Sequence, residues 1–217
     1  TGFSTRVGAV DKGDRKSTLN FCHSMDIYPE EIVFCGQVHG DKVVMAGSES
    51  TVDADGLMTD RPGIALVTFY ADCVPLYFLD VKNKAIAVSH AGWKGTVAHI
   101  GANTLQAMHK AYGTDPRECI VAIGPSIGKC CFEVDPPVAR KFDRAFEFGS
   151  DILEHRDNGK YHIDLAEANA RDLEGQGILR RNIYKANICT SCNTDIVYSY
   201  RREGGTPKRM AAIIMLV

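Results

Sequence analysis

IALVTFYADCVPLYFLDVKNKAIAVSHAGWKG, residues 64–95, is the stretch that decides the fold. Ile64 to Tyr70, Leu76 to Asp80 and Ala85 to Ser89 are apolar runs rich in Val, Ile, Phe and Tyr, and they read as strands. Asp80-Val81-Lys82-Asn83-Lys84 joins the last two, and its length fits a hairpin connection. A helix follows from Gly95 to Tyr112. Val97, Ile100, Gly101, Thr104, Leu105 and Met108 recur at three- and four-residue spacing and give it one apolar face. Gly113 then ends it, as a glycine that tolerates a left-handed backbone should.

Working outward, further strands are expected at Glu31 to Cys35, Lys42 to Ala46, Cys119 to Ile123, Ile183 to Ala186, Val197 to Tyr200 and Arg209 to Leu216. A second helix spans Pro136 to Phe146, with Pro137 suited to its first turn and Val138, Phe142, Ala145 and Phe146 on one side. A third runs from Asp164 to about Glu174, with Asp164 as N-cap and Glu167 completing an Asp variant of the capping box; Gly175 and Gly177 mark its end. Glu147 to Lys160 reads as a surface excursion. Strands cluster early and late with helices between them, which is not a regular βα alternation. The pattern predicts an α+β domain of mixed sheets flanked by helices, one domain over residues 1–217.

Composition limits the function classes. The 217 residues are 45% hydrophobic and 24% charged, enough to bury a substantial core without staples. A net charge of -2 with no long basic run speaks against nucleic acid or an anionic membrane as partner. No apolar stretch approaches the roughly 20 residues that span a bilayer. The cysteines at 22, 35, 73, 119, 130, 131, 189 and 192 sit in a long chain, and several lie inside strand patterns. Buried thiols plus a few ligands in a reducing cytoplasm explain them better than a disulfide framework.

Three segments carry the chemistry: Gln37-Val38-His39-Gly40, Ala71-Asp72-Cys73-Val74-Pro75 and Ser89-His90-Ala91-Gly92-Trp93-Lys94-Gly95. Each sets one soft or borderline ligand, His39, Cys73 or His90, where a strand gives way to a turn. Two imidazoles and a thiolate suit zinc, and three protein ligands leave a position open for water or substrate. Taken singly, each has an ordinary structural use: a surface or hydrogen-bonded histidine, or a buried thiol. Their shared placement matters because strand ends can converge on one cleft. The turn after His90 also starts a helix, an anion-binding position to which Lys94 adds charge. Arg6, Arg201 and Arg202 are further candidates for gripping phosphate. Cys189-Thr190-Ser191-Cys192 has the spacing of redox pairs and zinc knuckles, without a second such pair, and reads as structural. Gly124-Pro125-Ser126-Ile127-Gly128 lacks the Lys-Ser/Thr ending of a P-loop.

Together with Phe3-Ser4-Thr5-Arg6, Ala54-Asp55-Gly56, Cys131-Phe132-Glu133-Val134 and Ser199-Tyr200-Arg201-Arg202, these motifs occur in the order of the laccase-domain, or multicopper polyphenol oxidase-like, family. That family is now usually described as purine nucleoside phosphorylases. The resemblance covers nearly the whole chain, Val7 to Tyr28 matching least well. It implies a layered α/β/β/α fold, two mixed sheets packed together with flanking helices, similar to a cytotoxic necrotizing factor-like deamidase. It implies one zinc at His39, Cys73 and His90. It implies phosphorolysis of adenosine, inosine and methylthioadenosine to free base and (methylthio)ribose 1-phosphate, with phosphate as co-substrate, and deamination of adenosine. The partners expected are small-molecule purine nucleosides.

Multicopper chemistry fits the residues poorly. It would need a separate histidine-rich cluster, whereas the chain has seven histidines and no His-x-His pair. Copper would enter the zinc site adventitiously. Zinc lowers the pKa of bound water toward about 7, which suits deamination; Asp72 or Glu133 would shuttle protons. Phosphorolysis calls instead on Arg6, Lys94, Arg201 and Arg202. A cysteine hydrolase or amidase, with Cys73 as nucleophile and His90 as base, is the alternative, and peptidoglycan precursor editing would be its setting. A non-enzymatic metal module would require a fourth ligand, with Cys130, Cys131 or Cys189 as the suspects.

Overall fold

Alternation along Ile64–Tyr70 divides the molecule into layers. Ile64, Leu66 and Tyr70 bury into one cluster, while Ala65, Val67 and Phe69 bury into another. A strand apolar on both faces needs cover on both. The computed structural model describes residues 1–8, 10–47 and 53–217, and it supplies that cover.

In chain order the elements are β1 (Gly2–Phe3), α1 (Arg15–His23), β2 (Glu31–Phe34), β3 (Val43–Met45), β4 (Gly56–Thr59), β5 (Ile64–Tyr70), β6 (Val74–Asp80) and β7 (Ala85–Ala91). Then come α2 (Trp93–Val97), α3 (Ile100–Tyr112), β8 (Ile120–Ile123), β9 (Glu133–Val134), α4 (Pro136–Ala145) and α5 (Gly149–Ile152). The chain closes with β10 (Leu153–His155), β11 (Tyr161–Ile163), α6 (Leu165–Gly175), β12 (Ile183–Lys185) and β13 (Met210–Ile214). One mixed sheet has the order β1-β13-β5-β2 and the other β12-β8-β6-β7-β4-β3; β10-β11-β9 form a small antiparallel sheet.

The two large sheets face each other. Leu66, Tyr70, Met210 and Ala212 of one meet Leu57, Tyr77, Ile86 and Val88 of the other. Behind the first sheet, Ala65, Val67 and Ala211 pack with Cys22, Leu19 and Phe21 of α1. Behind the second, Leu76, Phe78 and Ala87 pack with Leu105 and Met108 of α3, Phe142 of α4 and Leu173 of α6. The mixed α+β fold expected from the sequence is therefore present, with helices outside both sheets. The β6–β7 hairpin pairs Asp80 with Ala85 as expected. Its turn is pinned by Asn83, which donates from its backbone N and its Nδ2 to the Asp80 carboxylate at 3.0 and 2.8 Å.

Five expectations change. The helix from Gly95 to Tyr112 is two helices, because His99 takes a left-handed backbone (φ 59°) between them. That break sets the His99 ring on Asp172 at 3.0 Å and edge-on to Phe146, so tertiary contact overrides periodicity. Val197 to Tyr200 is not a strand. The backbone N–H groups of Tyr198 and Ser199 donate to the Met210 sulfur and the Glu203 carboxylate instead of a ladder. Glu147 to Lys160 is more than an excursion: it holds α5, with Gly149 and Ile152 buried, and β10. His90 lies inside β7, paired with Pro75, not beyond its end. The capping box at α6 is half formed. Asp164 accepts from Glu167 N at 2.9 Å, but the Glu167 carboxylate turns to Lys185 at 2.6 Å.

Leu66→Ala tests the layering. Leu66 is fully buried in the inter-sheet core, so the substitution should lower unfolding free energy by about 2–5 kcal/mol. Urea denaturation would show this as a lower midpoint at unchanged slope; an unchanged midpoint would refute the packing described.

Candidate metal centre

β5, β6 and β7 bring the site together at one edge of the inter-sheet layer. Along β7, Ile86 and Val88 point between the sheets, and His90 shares their parity, its ring centroid 5.4 Å from that of Tyr70. Cys73 sits in the short β5–β6 turn. His39 comes from the loop after β2, where Gln37 and His39 both have positive φ (54° and 62°); Asp72 is similar at 87°. Non-glycine residues adopt this conformation only when their surroundings over-determine it, which is common at functional sites. The Gln37 amide provides one such constraint. It donates to Phe69 O at 2.7 Å and accepts from Phe69 N at 2.8 Å, substituting for a strand at the end of β5.

The ligand atoms of His39, Cys73 and His90 all lie within 4.8 Å of one another. The two rings meet edge to face at 4.9 Å between centroids. Gly92 leaves room for this approach: a Cβ there would stand 3.0 Å from His39 Cδ2 and 3.1 Å from Cys73 Sγ.

Asp55, fully buried, orients the cluster. Its carboxylate accepts from His90 Nδ1 at 2.8 Å and from the backbone N–H groups of Val38, His39 and Gly40 at 3.1, 3.0 and 2.7 Å. Because a carboxylate only accepts, Nδ1 carries the proton and Nε2 faces the cluster, the tautomer a ligating histidine uses. Burial raises the Asp55 pKa, but the bonds from His90 and Gly40 outweigh it and hold the acid below its usual value. Burial likewise opposes charge on Cys73 and His90. The attraction between the two wins, lowering the thiol to about 6 and, with Asp55, raising the imidazole to about 9. Other buried thiols behave oppositely: burial pushes Cys35 and Cys119 up to about 12.

The cluster forms part of the wall of a cavity of about 490 Å³. Trp93, Phe69, Phe132 and Tyr200 supply aromatic surface to that cavity; Lys12, Arg201 and Arg209 supply positive charge. Of the residues singled out from sequence, Asp72 and Arg201 line it with the trio, while Arg6, Lys94 and Arg202 are not among its lining residues. Arg6 pairs with Glu203 and lies over the Tyr198 ring. Lys94 belongs to a helix of only five residues. The Asp72 carboxylate accepts from Thr190 Oγ1 at 2.6 Å and Arg201 N at 2.7 Å, so it braces the loop that carries Arg201. Glu133 faces Asn158 and Lys160.

Sequence reasoning missed Lys12 and Arg209, which lie in no motif, and the role of Asp55. The Ala54-Asp55-Gly56 motif was a usable signal; its partners, up to 35 residues away, were not. Cys130, Cys131 and Cys189, suspected as a fourth ligand, instead gather with Cys192 in a separate cluster.

A mixed two-sheet fold with a His–Cys–His cluster at a cavity wall defines the class. The chain belongs to the multi-copper polyphenol oxidoreductase laccase family, whose model matches residues 3–217. It is 36% identical over 219 residues to a Bacteroides thetaiotaomicron protein named purine nucleoside phosphorylase, covering 95% of this chain and 81% of that one. It is also 36% identical to the purine nucleoside phosphorylase YlmD of Geobacillus stearothermophilus, over 85% of this chain and 72% of that one. The crystal structure of YlmD from that organism superposes with a TM-score of 0.88 at 30% identity, covering 99% of this chain and 90% of that chain.

Asp55→Asn should weaken metal binding at the His39–Cys73–His90 cluster roughly 10–100-fold, as loss of a carboxylate behind a ligating histidine does. Competition with a chromogenic chelator would measure it; an unchanged affinity would remove Asp55 from the site.

Proposed function

We propose that this chain acts as one domain and is a purine nucleoside phosphorylase whose metal is zinc, held by His39, Cys73 and His90. The carrying observation is the convergence of those three side chains on a cavity that also presents cations and aromatic faces. The donor set fits zinc: two imidazoles and one thiolate with no fourth protein ligand among the described residues, Asp55 behind His90, and the space at Gly92. When bound, zinc supplies Lewis-acid polarisation and a water of lowered pKa.

The remaining roles follow from placement. Arg201 donates Nη1 to Glu133 O at 2.9 Å, leaving donors for a phosphate; Arg209 and Lys12 complete the anion site. Trp93, Phe132 and Tyr200 offer faces on which a purine would stack. Asp72 acts as a positioning residue for Arg201 and the Cys73 turn. Adenosine, inosine and methylthioadenosine are the proposed substrates, with adenosine deamination as a second activity that draws on the metal and not on the arginines.

A second reading has one specific support. The Cys73 and His90 ligand atoms lie within 4.8 Å, and their mutual attraction lowers the thiol to about 6 and raises the imidazole to about 9, the direction that activates a cysteine nucleophile. That hydrolase would form a covalent acyl adduct on Cys73 in chelator-treated protein.

Chromatography of nucleoside incubations separates these readings. Free base and ribose 1-phosphate should appear from inosine only with phosphate present, and inosine should form from adenosine without it. Cys73→Ala should abolish both; a variant retaining zinc and full activity would overturn the proposal. Arg201→Ala should raise the KM for phosphate roughly tenfold or more while changing the KM for nucleoside less. Equal changes in both would take Arg201 out of the phosphate site.

A further inference from the structure

We propose a second metal site, built by Cys130, Cys131, Cys189 and Cys192, that takes a thiophilic divalent ion of the zinc class and clamps one wall of the cavity. The four sulfurs all lie within 4.8 Å of one another, and among the described residues no histidine or carboxylate belongs to the group. Cys192 Sγ is 3.4 Å from Cys131 Sγ and 3.7 Å from Cys130 Sγ. Zinc–sulfur bonds of ~2.3 Å place tetrahedral sulfurs ~3.8 Å apart, whereas a disulfide needs ~2.05 Å. The spacing therefore fits four ligands around one ion better than two cystines.

The surroundings fit as well. Gly128 N donates to Cys189 Sγ at 3.2 Å, a bond that stabilises a thiolate. A Cβ on Gly128 would come within 3.3 Å of Cys130 Sγ and 3.4 Å of Cys189 Sγ, so the sulfurs close in where a side chain is missing. Cys130 and Cys192 are exposed and the other two partly so, which gives an ion access from solvent. On binding, four metal–sulfur bonds would form as the thiol protons leave to solvent. The resulting centre, with charge -2 for a divalent ion, lies near the Arg201 guanidinium, which reaches Cys131 O at 3.5 Å.

The consequence is mechanical. Cys130 and Cys131 end the loop after β8 that carries Ile127 and lead into Phe132. Cys189 and Cys192 flank Thr190, which bonds Asp72, and precede Tyr200 and Arg201. Ile127, Phe132, Tyr200 and Arg201 all line the cavity. Among the described residues, an isolated bridge between Ser126 and Cys189 is all that pairs the two loops as strands. A tetrathiolate ion would tie together the two loops that lead to these lining residues. This site is independent of the zinc proposed at His39, Cys73 and His90.

The test loads reduced, full-length protein with zinc alone and counts metal by mass spectrometry. Wild type should hold two ions, Cys73→Ala one, and Cys189→Ser/Cys192→Ser one. Cobalt-loaded Cys73→Ala should show an intense thiolate-to-metal charge-transfer band. Should the serine variant fail to fold, alkylation of wild type followed by peptide mapping serves instead. Zinc should protect the four cysteines and a chelator should expose them. A Cys73→Ala protein without metal, a serine variant that keeps both ions, or zinc-saturated cysteines that alkylate freely would overturn the second site. So would disulfides that persist among the four in reduced protein. Loss of metal from the first site alone would leave this proposal standing.

Discussion

One buried carboxylate governs the geometry of the first site. Asp55 is removed from water, and such a charge is costly unless it is paired and hydrogen-bonded. Here it accepts three backbone N–H groups from Val38, His39 and Gly40 and the Nδ1 proton of His90. Those bonds stabilise the ionised acid and join a loop in an unfavourable backbone conformation to a strand in the centre of a sheet. The His39 loop has the orientation it has because its amides must reach Asp55. His90 presents Nε2 because Asp55 occupies its other nitrogen.

The layered core makes such an arrangement possible. β5 and β7 belong to different sheets and pack face to face, so residues of matching parity on the two strands point into the same layer. Most of that layer is filled by Leu66, Tyr70, Ile86 and Val88. At its edge the filling stops and His90, Cys73 and His39 take over beside Tyr70. The cluster is therefore backed by packed strands and opens on the cavity, and side chains fixed on packed strands hold their geometry.

Part of the cavity lining has a different construction. Phe132, Tyr200 and Arg201 come from irregular segments, and their support is local: Asp72 to Thr190 and to Arg201 N, Glu203 to Ser199 N, and the four-cysteine group between the loops that lead to them. Side-chain acceptors replace a strand ladder along Val197–Tyr200, leaving the segment free to turn Tyr200 and Arg201 toward the cavity.

Local pattern determined much of this protein. Continuous apolar runs set β5, β6 and β7, because side chains on both faces of each strand must find cover. Gly113 and Asp164 terminate and start their helices through backbone chemistry confined to a few residues. His39, Cys73 and His90 were legible as soft or borderline donors, but His90 lies inside β7 and not past its end as expected. Other features required distant partners. His99 breaks its helix for Asp172, Val197–Tyr200 gives up strand pairing for Glu203 and Met210, and Arg209 rather than Arg6 lines the cavity. Asp55 finds His90 across 35 residues, and Cys131 finds Cys192 across 61. Spacing in sequence records which donors exist, but the packing of two sheets decides which of them meet, because only that packing sets where strand ends and loops converge.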